Sequence, residues 1–571
     1  MINKILSLFL MIGLCSGSFA NENTCEDDGD IFNPCSIKDT TLRNFISNNF
    51  AANTSCIAST AMLESSGVKV PKCGDQEEQL LDNRYPTGGI FFGYYVGMKS
   101  GDFIQQLTES ASTEGATVNI VVASGELEYF HSMYEKNEKL KNLIDKGGVK
   151  IIPVKGVRKG AIKWMQDSMQ FTTMDKKVGI LQMSQEDEEG RSLDKTIACQ
   201  IAKACDLPIV QEPISSFDKS VLEDNPQAIG GLRAGGNLEV LPGGVILTGG
   251  AYNDDSGVVE FDPMQKEIIE SISKKSGQDY VKIDTNFLTV GHADELYNSV
   301  KISEEERIRR GLPKECNFLI LEASPSKAKE ILTRESLSAQ EGHSTSDKAP
   351  GSGVGSGEMA TESASASSAG AAAPIEITKN MDSANQRIYD LLESVQDCKD
   401  LTHTKIYDQI SRENVPMDSI NAKVNEFKCF GLSGFTASEV LLNENLKNQN
   451  FGGSELTPFS SRQYMNRERI LDKVREASGC QSPPILEVPA MVDGGDFILP
   501  DQVNGVTING KNDGSGSSFL TPSTFYGPFD NYLKDQLDSF GVKTTQVQDI
   551  EYHITKGEVH CGSNSALVCK E

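Results

Sequence analysis

The chain has 571 residues, with 54 Lys and Arg against 81 Asp and Glu, for a formal net charge of −27. Its length is enough for a sizeable core and suggests two to four structural units, or one large domain with additions. The acidity argues against nucleic acid as a partner and suits cationic substrates or divalent cations, although acidity alone mainly keeps a protein soluble.

The N-terminus predicts a signal peptide at residues 1–20. Lys4 precedes a short apolar run from Ile5 to Leu14, and the small residues Ser18 and Ala20 suit cleavage after Ala20. We therefore expect a secreted or periplasmic protein. No later apolar stretch approaches the ~20 residues of a membrane-spanning helix, so no membrane span is predicted.

The next region, residues 21–87, is polar and bears cysteines. Because export favours disulfides, we expect a small stapled unit built on Cys25, Cys35, Cys56 and Cys73. Cys199 and Cys205 are a further candidate pair. Connectivity does not follow from spacing.

An α/β domain is predicted from residue 88, with a first part at 88–336. Residues 118–123 and 149–154 are predicted buried strands, and the segment near 125–146 is a predicted helix. Strands that alternate with helices indicate a layered α/β domain.

The predicted second part of the domain, 375–571, follows a Gly-, Ser- and Ala-rich stretch. That stretch, 337–374, is typical of a flexible linker or insertion. Beyond it, helices are predicted at 383–396 and 467–477, and a strand at 485–488.

Two segments share a Gly-Gly turn followed by a strand that ends in Pro, at 235–242 and 494–500. They are either unrelated turns or copies of one repeated building block. The sequence alone does not separate these interpretations.

His292 is one of six histidines and a candidate acid/base. We expect an apolar strand at Phe287–Val290 to end at Gly291, with His292 and Asp294 on one face of an extended segment. A carboxylate beside imidazole orients the ring and raises its pKa. The alternative is an ordinary histidine with its hydrogen bonds satisfied.

The segment 552–564 offers a nucleophile, Cys561, next to His560 and close to Gly557 and Gly562. A cysteine attacks as its thiolate, which needs a positive or hydrogen-bonding environment. The alternative is a Cys561–Cys569 disulfide.

Trp164, the single tryptophan, lies three residues before Asp167. An indole face and a carboxylate together bind guanidinium by cation–π contact and paired hydrogen bonds. A core tryptophan with a solvated Asp is the alternative. Gly-x-Ser-x-Gly, His-Glu-x-x-His, Walker A and Cys-x-x-Cys motifs are absent from the sequence.

Taken together, these segments resemble the catalytic domain of the peptidylarginine deiminases. The matching motifs occur in the family's order, and the last is the most specific: Trp164-Met-Gln-Asp167, Gly236-Asn-Leu-Glu-Val240, Val290-Gly-His-Ala-Asp-Glu295 and Gly557-Glu-Val-His-Cys-Gly562. The resemblance implies an α/β fold, the five-bladed α/β-propeller of ββαβ repeats called the pentein fold, here with a short cysteine-bearing N-terminal extension.

The resemblance also implies roles for individual residues. Cys561 is the expected nucleophile and His292 the acid/base, while Asp167 and Asp294 hold the guanidinium. Trp164 lines the substrate channel, and Arg191 occupies the place of an arginine that grips the substrate backbone.

Family members need calcium, and their ligands map to the side chains of Gln166, Gln170 and Glu239 and to the carbonyls of Gly235 and Leu238. Oxygen ligands suit Ca²⁺. Two departures weaken the set, since Gln170 replaces the family's usual Glu and Ser168 replaces another acidic ligand.

We therefore expect a secreted, calcium-dependent protein-arginine deiminase that acts on arginine-containing proteins or peptides. A deiminase of free arginine or another small guanidine is the alternative with the same chemistry. A non-catalytic calcium-binding or interaction protein on this fold is the alternative from another class.

Overall fold

The computed structural model describes residues 32, 37–49, 56–74, 76, 78–96, 98, 102–146, 149–157, 160–183, 195–211, 235–253, 258–260, 263–344, 395–410, 417–452, 457–510 and 516–570. The predicted signal peptide, Arg191 and most of the helix predicted at 383–396 lie outside these residues. No helix within the described ranges is long and apolar enough to cross a membrane.

The strands, numbered along the chain, are β1 (Glu78–Gln79), β2 (Thr87–Tyr94), β3 (Thr117–Ala123), β4 (Val149–Val154), β5 (Met169–Met174), β6 (Lys177–Gln182), β7 (Ile209–Gln211), β8 (Leu238–Leu241), β9 (Val245–Asn253), β10 (Val258–Glu260), β11 (Tyr280–Asp284), β12 (Tyr297–Lys301), β13 (Phe318–Ser324), β14 (Ile485–Pro489), β15 (Val492–Asp493), β16 (Asp496–Phe497), β17 (Val506–Ile508), β18 (Ser518–Pro522), β19 (Lys543–Val547) and β20 (Ser563–Leu567).

The helices are α1 (Thr40–Asn49), α2 (Thr60–Ser65), α3 (Asp102–Glu114), α4 (Leu127–Lys136), α5 (Glu138–Asp145), α6 (Met165–Ser168), α7 (Lys195–Cys205), α8 (Pro263–Ser276), α9 (Glu304–Arg309), α10 (Pro325–Ser344), α11 (His403–Ile410), α12 (Met417–Phe427), α13 (Ala437–Leu442), α14 (Glu444–Phe451), α15 (Phe459–Ser478), α16 (Gly527–Ser539) and α17 (Ile550–His553).

One pattern recurs in five of the sheets. An antiparallel pair is followed by a third strand that runs parallel to the second member of the pair, after a helical connection. The pairs with their third strands are β20–β2 with β3, β5–β6 with β7, β8–β9 with β11, β12–β13 with β14, and β17–β18 with β19. The fold is therefore α/β, built on a repeated ββαβ unit, as the alternation of strands and helices predicts.

Burial follows the strand period in the first sheet. Ile90 and Phe92 of β2 join one apolar cluster, while Phe91 between them joins another. Because successive side chains point to opposite faces, β2 is buried on both sides, as expected of a strand in a parallel layer. The predicted strands at 118–123 and 149–154 are confirmed as β3 and β4.

The helix predicted near 125–146 is two helices, α4 and α5. Asn137 separates them with an extended backbone, and its side chain accepts a hydrogen bond from the amide of Leu140 at 2.9 Å. An N-cap at this position begins a new helix. The helix predicted at 467–477 and the strand predicted at 485–488 are confirmed by α15 and β14, which extend the predicted ranges.

Two of the four N-terminal cysteines, Cys56 and Cys73, pair with cysteines outside the N-terminal region, while Cys25 and Cys35 lie outside the described residues. Cys56 is bonded to Cys205, and Cys73 is bonded to Cys569. The predicted Cys199–Cys205 pair and the alternative Cys561–Cys569 pair are therefore both wrong. The N-terminal region is instead fastened to the domain, because β1 also pairs with β5.

Two further expectations need correction. Helix α10 continues to Ser344, so the boundary drawn at residue 337 falls inside a helix. The two Gly-Gly segments are not equivalent, since Gly235 opens a single helical turn before β8 whereas Gly494 and Gly495 make the turn between β15 and β16. The ββαβ unit does repeat, but the two similar Gly-Gly segments do not lie at equivalent positions of that unit.

Candidate active site

The site residues come from equivalent positions in the five units. In each unit, one strand of the antiparallel pair does not contact the parallel third strand. We call this strand the lead strand. A polar or nucleophilic residue lies one to three positions before each lead strand: Asp167 before β5, Asn237 before β8, Asp294 before β12, Asn504 before β17 and Cys561 before β20. The repeat thereby supplies one chemical group from each unit.

Cys561 is buried and is the only free cysteine among the described residues. Its Sγ lies 3.5 Å from Oδ2 of Asp294, and the amide nitrogen of Asn504 lies 3.4 Å from the sulfur. The backbone N–H of Cys561 donates to Oδ1 of Asn504 at 3.3 Å. Asn504 thus fixes both the backbone and the thiol of this residue.

The surroundings of Cys561 favour its protonated form. Burial raises the pKa of the thiol well above its usual value, and the carboxylates of Asp294 and Asp167 raise it further. A thiolate without a cation nearby is disfavoured here. The same negative charge makes the site a receptor for a cation.

His292 and Asp167 form a second close pair of side chains in the site. Nδ1 of the imidazole is 3.9 Å from Oδ1 of Asp167, and His292 is buried. The residues from Ala293 to Glu295 form a helical turn, and the preceding segment is not a strand. The expected pairing of His292 with Asp294 on an extended segment is therefore wrong, because the ion-pair partner of the imidazole is Asp167.

The close approach of the backbone at Gly236 sets this geometry. A Cβ at this position would lie 2.6 Å from Nδ1 of His292 and 3.3 Å from Oδ1 of Asp167. Only glycine leaves room for the imidazole and the carboxylate.

Asp294 is paired with the histidine next to the thiol. Nδ1 of His560 lies 3.1 Å from Oδ2 of Asp294 and 3.6 Å from Oε1 of Glu239. Burial alone would lower the pKa of His560, but the two carboxylates outweigh burial and raise it. Burial raises the pKa of Glu239 to about 7.

The indole of Trp164 packs against the segment that precedes Cys561. Gly557 packs so closely on its indole that a Cβ would lie 2.6 Å from the ring. On this indole lies the ammonium of Lys163, 4.3 Å from the ring centroid and 4.8 Å from that of Tyr95. Burial lowers the pKa of Lys163 to about 7.

The residues mapped as calcium ligands are close together. The amide of Gln166 donates to Oε1 of Glu239 at 2.8 Å, and that of Gln170 donates to the carbonyls of Gly235 at 2.7 Å and Leu238 at 3.2 Å. Oε1 of Gln166 is buried with no hydrogen-bond partner. A convergent set of carbonyl, amide and carboxylate oxygens fits Ca²⁺.

The sequence prediction assigned no role to Asn504 or Lys163. It also did not predict that His560 contacts both Asp294 and Glu239. A signal for Asn504 exists, since it stands before a lead strand as Asp167 and Asp294 do. Recognising it requires the strand register, which the short β17 does not reveal in the sequence. Arg191 is outside the described residues.

No family model matches the sequence, and no curated protein matches it. Solved structures similar in fold are those of agmatine deiminase from C. jejuni (9% identity, covering 86% of this chain and 97% of that one, TM-score 0.39), a protein provisionally named a peptidyl-arginine deiminase (11% identity, 86% and 98%, TM-score 0.39), and a protein from Porphyromonas gingivalis provisionally named an arginine deiminase (10% identity, 86% and 98%, TM-score 0.40). The structures similar to this chain are thus named as deiminases, for three different substrates.

Proposed function

We propose that the protein is a guanidine deiminase that converts peptidyl-arginine to peptidyl-citrulline and ammonia. The observation that carries this proposal is the buried free thiol of Cys561, which contacts the carboxylate of Asp294 and is influenced by the charge of Asp167, with His292 beside Asp167. Two carboxylates match the planar fork of a guanidinium. A thiol and an imidazole at the same place supply a nucleophile and an acid/base.

In the proposed reaction, the thiol proton of Cys561 passes to His292, and Sγ attacks the guanidinium carbon while Asp167 and Asp294 hold the nitrogens. His292 gives a proton to the departing nitrogen, which leaves as ammonia. His292 then accepts a proton from water, whose oxygen attacks the thiouronium carbon. The C–S bond breaks, the departing sulfur takes up the remaining hydroxyl proton, and the ureido product is citrulline. The proton on His292 passes to ammonia, which restores the neutral imidazole.

Substrate binding supplies the charge that the thiol lacks. The pKa of Cys561 is raised by burial and by two carboxylates in the structure. A guanidinium between those carboxylates compensates their charge and lowers the pKa of the thiol. The nucleophile is therefore activated when the correct cation is present.

The choice of peptidyl-arginine over smaller guanidines rests on the motif from Gly557 to Gly562, which is the most specific match to the peptidylarginine deiminases. We further propose that calcium binds at Gln166, Gln170, Glu239 and the carbonyls of Gly235 and Leu238. When bound, calcium would supply positive charge and would hold these ligands in fixed positions near His560 and Cys561. We also propose that the five units are the blades of a propeller.

Export is part of the proposal. The predicted leader supports it, as do the four disulfides of the described residues, which are typical of proteins outside the reducing cytosol.

The test is citrulline release from a blocked arginine peptide by the chain lacking residues 1–20. Calcium is compared with chelator, and Cys561→Ala is the control variant. We expect calcium-dependent citrulline that the variant does not produce. Strong reductants are avoided because the disulfides fasten the N-terminal region to the domain.

Free arginine and agmatine are assayed in parallel. If either of these were turned over and the peptide were not, the proposed substrate class would be wrong, while the proposed deimination reaction would stand. If the protein turned over none of the three guanidines in the presence of calcium, although Cys561 could still be alkylated, the proposal of an enzyme would be refuted and a binding role would be favoured.

A further inference from the structure

Three donor groups of different kinds meet beside the thiol. One ligand atom each from Glu239, Asp294 and His560 lies within 4.8 Å of the others. Among the described residues this is the only group of three or more His, Cys, Asp or Glu with such spacing. Asp294 is fully buried and Glu239 is 8% exposed.

The spacing suits a small dication. Ligand atoms ~2.0–2.1 Å from a tetrahedral zinc are separated by about 3.4 Å. Nδ1 of His560 lies 3.1 Å from Oδ2 of Asp294 and 3.6 Å from Oε1 of Glu239. An ion at the centre would take the place of the proton on Nδ1, and the carboxylates would balance its charge.

Buried polar atoms without partners point to a missing ligand at the same place. Oδ1 of Asp294 and Oε1 of Gln166 are both buried and lack hydrogen-bond partners. Gln166 is held there because its amide donates to Oε1 of Glu239 at 2.8 Å. Unsatisfied buried oxygens are costly, and a bound cation satisfies them.

We propose that Glu239, Asp294 and His560 bind a divalent transition metal of the zinc class, and that this ion blocks the substrate site. The imidazole ligand selects zinc-class ions over calcium, which takes oxygen ligands. Asp294 is the shared group, since its Oδ2 faces both His560 at 3.1 Å and the sulfur of Cys561 at 3.5 Å. The inhibitory part of this inference rests on the proposed function.

The ion excludes a guanidinium for two reasons. It occupies the carboxylate oxygen that the guanidinium needs, and its positive charge repels the cationic substrate in a buried setting where screening is weak. Because the proposed calcium site also uses Glu239, binding of the transition metal is measured in the absence of calcium.

The first measurement uses Co²⁺ as an optical probe of the metal site in the full exported chain carrying Cys561→Ala, which removes the thiol as a competing ligand. We expect one Co²⁺ to bind with a visible absorption band and to raise the midpoint of thermal unfolding. His560→Gln and Glu239→Gln should each weaken binding by about 100-fold or more, because even outer-shell partners contribute ~10–100-fold. His131→Gln, a histidine of α4 outside the site, is the matched control.

The second measurement adds Zn²⁺ to the enzyme with Cys561 present. We expect inhibition that a rising concentration of arginine peptide overcomes, and that His560→Gln relieves. Absence of Co²⁺ binding, or binding unaffected by both substitutions, would overturn the metal site. A chain that binds Co²⁺ through His560 yet produces no citrulline would keep the site and defeat the proposed function.

Discussion

Asp294 joins two parts of the site through one carboxylate. Its Oδ2 lies within 3.5 Å of the sulfur of Cys561 and 3.1 Å of Nδ1 of His560. The negative charge opposes ionisation of the thiol, while the same charge stabilises the imidazolium. Removing that charge should therefore change the chemistry of Cys561 without a substrate.

We predict that Asp294→Asn lowers the pKa of the Cys561 thiol, because the carboxylate beside the sulfur disfavours the thiolate. The measurement is the pH dependence of alkylation of Cys561 by iodoacetamide, whose rate follows the thiolate fraction. The alkylation curve should move to lower pH. Asp496→Asn, at a half-exposed carboxylate paired with Lys556, should leave the curve in place; an unmoved curve in Asp294→Asn contradicts the account.

Lys163 is a buried cation whose pKa burial lowers to about 7, against about 10.5 for the exposed side chain. The unfolded chain therefore binds more protons between these values, and stability rises with pH across that window. Below pH 7 the full cost of burying the ammonium is present. Above pH 10.5 it is gone.

Lys163→Met should accordingly stabilise the fold by about 1–4 kcal/mol at pH 6, as replacement of a buried charge often does. The gain should shrink as the pH rises towards 10. Urea unfolding at both pH values measures the difference. Lys155→Met provides a lysine control, and an equal gain at both pH values would mean that the ammonium is not the cause.

At the scale of elements, the lead strands explain why distant residues meet. Asp167, Asn237, Asp294, Asn504 and Cys561 are far apart in the sequence, but each precedes a lead strand. The proposed catalytic groups lie in the segments just before these strands, so their geometry depends on those segments. Gly236, next to Asn237, is one of the site positions where the neighbouring side chains leave no room for a Cβ.

Gly236→Ala should lower kcat by about 100-fold, the effect of displacing a catalytic group by ~1 Å. The added methyl would press on His292 and Asp167. Citrulline release, with circular dichroism to check folding, measures this. Gly125→Ala is the matched control because a Cβ there meets nothing within 4 Å. Full activity of Gly236→Ala would show that the imidazole has room to move.

The sequence predicted the strands β3, β4 and β14 and the helix α15 because their apolar periodicity is strong. It also placed Cys561, His292, Asp167 and Asp294 as candidates, and the structure brings these four together. The partner of His292 was missed because local spacing does not show that Asp167 approaches from another unit. The pairing of Cys56 and Cys73 with cysteines far along the chain is likewise a property of the fold, which cysteine spacing does not contain.

At the scale of the molecule, the disulfides join regions far apart in the chain. Cys73 and Cys569 are separated by 496 residues, and the amide of Cys73 also donates to the carbonyl of Lys570 at 2.8 Å. Cys569 follows β20, the lead strand that begins two residues after the thiol. This link therefore holds the end of the strand on which Cys561 depends.

The paired change Cys73→Ser and Cys569→Ser should lower the free energy of unfolding by about 2–4 kcal/mol. Citrulline release should become more sensitive to mild heating, because β20 is less firmly held. Cys398→Ser with Cys429→Ser, which opens a link of only 31 residues that does not involve β20, is the comparison. If both pairs lowered stability but neither affected activity on heating, β20 would not depend on its disulfide.

The pairing of β20 with β2 is a contact between residues far apart in the chain, which makes completion of the first sheet a late event in folding. Phe92 of β2 pairs with Ser563, so the first sheet is completed only by the last strand of the described chain. Contacts of such high sequence separation form late, since loop closure precedes any gain from the contact. Cys561 reaches Asp294 and Asn504 when this final strand docks. Until β20 docks, the thiol of Cys561 is therefore apart from the two residues that the proposed reaction needs beside it.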